Sequence, residues 1–188
     1  MTPTLLIVIG VAVVVVLAVI VLYNGLVGKR VQTQNAWSQI DVQLQRRHDL
    51  IPNLVEVVKG YAKHESETLE KVVQARSAAL GAKGVGDKIA AENQLTGALR
   101  GFLAVAEAYP DLKANQNFLA LQEELAATEN RIGFSRQNYN DTVTPYNASL
   151  QSFPTNVLAG MFGFQPAAFF TPDPSEAAAI RQAPKVQF

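Results

Sequence analysis

One apolar run dominates the hydrophobic pattern: Leu5 to Tyr23, LLIVIGVAVVVVLAVIVLY, without charge or proline. At about 1.5 Å per residue it spans roughly 28 Å as a helix, close to the hydrocarbon thickness of a bilayer. Valine and isoleucine are modest helix formers in water. In lipid the backbone must satisfy its own N–H and C=O groups, so a helix is enforced. Past the run the pattern becomes amphipathic over residues 24–80. Trp37, Ile40 and Leu44 recur at helical spacing, and Leu54, Val55, Val58, Ala62, Leu69, Val72, Val73 and Arg76 continue the stripe. Pro52 interrupts it, and its missing N–H and ring clash predict a kink or break near Asp49-Leu50-Ile51, with Asp49 placed to cap a new helix.

The glycine-rich segment Gly81–Gly86 predicts a turn, and Asp87 is placed to cap the next helix, whose apolar side is Ala90, Leu95, Leu99, Phe102, Leu103 and Ala106. Tyr109-Pro110-Asp111 ends that helix, and Asn115 or Asp111 caps a final long one. Its seam reads Phe118, Leu121, Leu125, Thr128, Ile132, Ser135, Tyr139, Val143, Tyr146 and Leu150, a spacing close to that of a bundle or coiled coil. The fold class is therefore all-α: an N-terminal transmembrane helix, then an antiparallel up-down bundle of three kinked or four long helices. Unbroken, residues 24–80 would form a rod of roughly 85 Å. A turn at Asp49–Pro52 would give four arms of similar length, but it contains no glycine.

After Phe153-Pro154 the pattern changes. Leu158, Met161, Phe162, Phe164, Phe169 and Phe170 are crowded together and interrupted by Pro166, Pro172 and Pro174. Either this segment caps an end of the bundle or it docks on lipid or a partner. The cap is the stronger reading, because large exposed apolar patches are unusual. Residues 173–188 read as irregular and partly mobile. The expected organisation is a short extracytoplasmic end at 1–4, the membrane helix at 5–23, the bundle at 24–152, and an aromatic cap with tail at 153–188.

Charge sets direction. Met-Thr-Pro-Thr before the run has no basic residue, whereas Lys29 and Arg30 follow it, with Arg46 and Arg47 further on. The positive-inside rule then places the N-terminus outside and the helical domain in the cytoplasm. A cleaved signal peptide fits less well, because the start is not basic, the run is long, and Asn24-Gly25-Leu26-Val27-Gly28 is no A-x-A site. The formal net charge of 0 gives no sign of nucleic-acid binding. With no cysteine in the chain, disulfides, thiolate metal sites and cysteine nucleophiles are excluded.

No catalytic constellation emerges. His64 and Glu67 share a helix face but leave a metal site short of ligands. Neither a nucleophile elbow nor a phosphate-binding glycine motif occurs. One charged cluster stands out: Asp41, Arg46, Arg47, His48 and Asp49, just before Pro52 and Asn53. Arg46 and Arg47 point about 100° apart, so a single helix face cannot hold both. They can pair within the helix with Asp49 or Asp41, reach another helix, or meet anionic headgroups; the inter-helix role is the strongest. Trp37 lies roughly 21 Å along the helix from the anchor's end, too far for an interface belt, and reads as core or oligomer contact.

These residues carry a family resemblance. Tyr23-Asn-Gly-Leu-Val27, the block from Ala36 through Trp37 to Val55, Lys59 to Glu65, Glu107 to Lys113, Thr128 to Ile132, Tyr139-Asn140-Asp141, Tyr146-Asn147 and Phe153-Pro154 resemble the LemA family of bacterial membrane proteins. The likeness covers nearly everything from the anchor to about Phe164. Pro145 and the glycine-rich turn depart from the family pattern. The resemblance implies an N-terminal anchor and a helical soluble domain, and no established activity. Some relatives look tied to building or bending internal membranes, as in magnetosome formation.

The resulting expectation is a non-enzymatic scaffold in the bacterial inner membrane, without cofactor, that associates with lipid and with its own copies. The alternative is an adaptor for another envelope protein such as a transporter or protease. Interface or partner contacts are expected at Trp37, Asp41, Arg46, Arg47, Asp49, Pro52, Asn53, Tyr139 and Asn140, and lipid-proximal charge at Lys29 and Arg30.

Overall fold

The computed structural model describes residues 2–61 and 65–171, so the expectations for Ala62, His64, Pro172, Pro174 and the tail from residue 173 lie outside the described residues. The described residues form helices without strands: α1 Pro3–Tyr61, α2 Ser66–Gly81, α3 Val85–Ala106, α4 Pro110–Lys113, α5 Gln116–Gln151 and α6 Thr155–Met161. The apolar run and the amphipathic stretch as far as Tyr61 are one helix of 59 residues, and the rest of the stretch read over residues 24–80 continues in α2.

Of the two outcomes left open at Asp49–Pro52, a kink or a break, the break does not occur. α1 runs through Pro52, whose side chain faces solvent, and ends at Tyr61. The helical acceptor that a proline at position 52 leaves open is the carbonyl of residue 48. Arg76 of α2 donates its Nε–H to the His48 carbonyl at 2.8 Å. The lost backbone bond is thus replaced by one from a neighbouring helix. Asp49 caps nothing; it accepts a bond from Gln45 Nε2 at 2.8 Å.

The capping signals resolve unevenly. Gly84 precedes α3 with φ +83, a left-handed conformation that suits glycine. Asp87 lies inside the first turn of α3, where a carboxylate favours the helix dipole, instead of preceding the helix. Asn115 caps α5: its Oδ1 accepts from the Asn117 and Phe118 amides at 2.9 and 3.1 Å. α5 continues through Pro145.

Among the described residues the chain divides into two compact units, residues 2–41 with 134–169, and residues 42–133 with 170–171. In the first, Lys29 meets Ser149, Thr33 meets Thr142 and Gln39 meets Asn138, so α1 and α5 lie antiparallel. Leu26, Ala36, Ile40, Tyr139, Val143 and Tyr146 are buried there. In the second, Ile51, Leu54, Val58, Val72, Leu95, Leu99, Phe102, Phe118 and Leu125 form the core. Each large side chain there contributes about 1.5–3 kcal/mol by leaving water. Two stripe assignments shift. Ala90 is exposed and Ile89 and Glu92 face inward on α3, while Val73 of α2 is exposed.

Candidate functional site

The expected interface residues divide between the two units. In the second unit, Arg46 and Arg47 diverge as adjacent helical positions must. Arg46 reaches Glu124 of α5 at the surface, a pair worth no more than about 1 kcal/mol in water. Arg47 turns inward and is 1% exposed. Its guanidinium forms an ion pair with Glu92 of α3 and donates Nη1–H to Glu129 of α5 at 2.7 Å and to Thr96 Oγ1 at 3.0 Å. His48, also buried, meets Glu92 Oε1 through Nε2 at 2.8 Å. With the Arg76 bond to the His48 carbonyl, two consecutive residues of α1 tie together α2, α3 and α5.

Electrostatics favour the ionised forms of Glu92 and Arg47. Burial pushes the Glu92 carboxyl upward, but the hydrogen bond from His48 and the charge of Arg47 outweigh it and hold the group below its ordinary value. Burial likewise pulls the Arg47 guanidinium down, and Glu129 and Glu92 together raise it above its ordinary value. A charged Glu92 can only accept, so His48 Nε2 carries the hydrogen between them. Arg47 Nε and His48 Nδ1 are buried with no partner among the described residues. Such a network is a weak source of net stability but is costly to break on one side.

Glu92 and Glu129 were absent from the expected site. The signal for Glu92 was available: it stands in register with Ile89, Leu95 and Leu99, and a carboxylate on an apolar stripe requires a buried partner. Asp49, Pro52 and Asn53 face solvent on α1. Among the described residues, no cluster of three or more His, Asp or Glu side chains could hold a metal ion.

In the first unit, Trp37 is half-buried and packs edge-on against Tyr139, ring centroids 5.3 Å apart. Asp41 and Asn140 are partly buried on α1 and α5. Tyr139 begins a row of α5 side chains that hold the chain after α6. Its hydroxyl donates to the Ala168 carbonyl, and that of Tyr146 to the Gln165 carbonyl, each at 2.8 Å. Asn147 donates Nδ2–H to the Ala167 carbonyl and accepts from the Ala167 amide, both at 2.9 Å. Residues 165–168 are thereby fastened along α5 by its side chains.

The same unit contains the end of the apolar run. Tyr23 packs edge-on against Phe162 and Phe164, with centroids 4.9 and 5.8 Å away. The Arg30 guanidinium lies 5.6 Å from the centre of the Phe164 ring. Lys29 Nζ donates to Ser149 Oγ. Lys29 and Arg30 are thus engaged with α5 and the aromatic segment directly below the anchor. The 18-residue apolar window of α1 has a mean hydropathy of 3.6 and none of it is buried, so it is long and apolar enough to cross a membrane once.

Comparison with known proteins adds a lineage. A family model described as the LemA family matches residues 36–188. Magnetosome protein MamQ 2 of Paramagnetospirillum magneticum is 29% identical, covering 81% of this chain and 66% of its own length. Protein LemA of Metamycoplasma hominis is 32% identical over 78% of this chain and 68% of its own. Magnetosome protein MamQ of Magnetospirillum gryphiswaldense is 25% identical, with 81% and 66% covered. The chain therefore spans about two thirds of the length of these relatives.

Proposed function

The chain belongs to the LemA family, and from that premise we propose that it is a single-pass, membrane-anchored helical scaffold that associates with its own copies and organises a patch of bacterial membrane. The observation that carries this reading is the continuity of α1. The apolar segment passes without a break in the helix into a stretch whose Leu26, Thr33, Ala36 and Ile40 are buried in the same unit. A chain built this way holds its helical surface at the bilayer instead of on a flexible tether. Two of its relatives are named as magnetosome proteins, which supports a role in membrane organisation. Lys29 and Arg30 favour a cytoplasmic helical domain and an N-terminus outside. The reading assigns no catalytic step and no cofactor to the chain.

An exposed apolar position favours self-association, and α5 offers Phe134, 74% exposed. The natural sequence has no cysteine, so Phe134→Cys gives a single crosslinking site. In cells, this full-length variant is expected to crosslink to itself. A single band to a different protein, without self-crosslinks, would replace the scaffold with an adaptor for another envelope protein.

A further inference from the structure

Beside the anchor's end, α6 and its flanks show two opposed faces. Ala159 and, just after the helix, Phe164 turn inward against Leu26 and Tyr146, and Leu158 is buried as well. Phe153, Val157 and Met161, spaced four residues apart, point outward with Phe162; Phe153 is 84% and Met161 74% exposed. The inward turn is made by a glycine cap. Gly163 sits at φ +68, its amide bonds the Gly160 carbonyl at 3.4 Å, and the Phe164 amide bonds the Ala159 carbonyl at 3.0 Å. This Schellman arrangement satisfies the helix end and seats Phe164 on Ala159. Packing within this unit therefore leaves the outer aromatic face uncovered while fixing its orientation.

We propose that this face lies in the interfacial layer of the same bilayer that α1 crosses. Three observations converge. First, the level is right: Phe162 touches Tyr23, the last residue of the apolar run, where the hydrocarbon ends and aromatic side chains are favoured. Second, the composition is right: between Asp141 and Asp173 the chain carries no charged residue, so no charge would need to be desolvated when the segment meets lipid. Third, the neighbouring charges are basic, Lys29 and Arg30, which attract anionic headgroups at about 1 kcal/mol each. A face that is apolar, uncharged and level with the anchor's end has the bilayer as its nearest apolar phase, and an amphipathic segment there lies in the membrane plane.

The inference rests on the anchoring of α1, and single cysteines in the otherwise cysteine-free chain separate the two. Full-length Val157→Cys, Met161→Cys, Ser38→Cys and Val14→Cys variants would each carry an environment-sensitive fluorophore in vesicles of phosphatidylcholine and phosphatidylglycerol. Labels at 157 and 161 are expected to lose emission to a shallow lipid-borne quencher and to resist aqueous iodide. The label at 38 should respond only to iodide, and the label at 14 only to a deep lipid quencher. If 14 reports lipid while 157 and 161 respond to iodide as 38 does, the interfacial face is wrong and the anchor stands. If 157 and 161 are shielded from both quenchers, a second copy or another protein segment covers the face, which also overturns the proposal. If 14 itself responds to iodide, the anchoring reading fails and the proposal falls with it.

Discussion

Arg76 Nε donates to the carbonyl oxygen of His48 at 2.8 Å, the acceptor that Pro52 leaves without an amide. A proline in mid-helix is therefore tolerated because a different helix supplies the missing donor. Replacing Arg76 with methionine keeps much of the side-chain volume and leaves that carbonyl unpaired. The expected cost is about 1–3 kcal/mol, read from urea unfolding of the full chain in detergent micelles. The same substitution in a Pro52→Ala background should cost less, since the restored amide reaches the carbonyl. Equal costs in both backgrounds would mean that Arg76 acts elsewhere.

Glu92 is the partner that Arg47 and His48 share. Glu92→Ala should destabilise the chain by about 3–5 kcal/mol, because a buried guanidinium loses its closest counter-charge. A combined Arg47→Met, Glu92→Leu variant is expected to be more stable than the sum of its single changes predicts. Denaturation of the three variants beside the natural chain measures that coupling.

Acid should act through the same carboxylate. The hydrogen bond from His48 and the charge of Arg47, opposed by burial, leave the folded Glu92 pKa below its ordinary value of 4.5. As pH falls past that ordinary value the unfolded carboxyl takes up its proton before the folded one. The unfolded state then binds more protons and stability declines, until the folded group is protonated as well. This contribution is fully present above the unfolded pKa. Unfolding midpoints followed from pH 6 downward should show a steeper acid loss in the natural chain than in Glu92→Gln.

The segment after α6 is held by separable contacts. Gly163→Ala places a side chain at φ +68, a cost of about 1–2 kcal/mol. Asn147→Ala removes both bonds to Ala167 and should cost a similar amount, about 1 kcal/mol per bond. Both variants are expected to lower the unfolding midpoint, and Asn147→Ala should also speed amide exchange at Ala167. Unchanged exchange at that amide would show that the Asn147 bond contributes little to holding the segment.

How far the sequence could be read depended on whether the deciding partner was local. The membrane run was legible because lipid permits few alternatives for nineteen or so apolar residues in series. The α5 seam was legible because Phe118, Leu125, Ile132, Tyr139, Val143 and Tyr146 keep a bundle spacing, and all are buried. At Pro52 the sequence leaves a kink and a break both open, because the donor that compensates the proline, Arg76, comes from another helix. The divergence of Arg46 and Arg47 follows from helix geometry, while the inward turn of Arg47 and its partners Glu92 and Glu129 are fixed only by tertiary packing. The aromatic end was framed as a cap or a docking segment, and it has both faces: Leu158 and Phe164 are buried, Phe153 and Met161 exposed. The backbone groups of residues 165–168 that Tyr139, Tyr146 and Asn147 hold carry no sequence signature at all.

The central claim, a membrane scaffold built from anchored helical copies, is tested most directly by electron microscopy of the full-length protein in lipid vesicles, beside a chain lacking the apolar run. The account predicts ordered rings or lattices, or reshaped vesicles, that require the anchor. Dispersed single copies on unaltered membranes would contradict it.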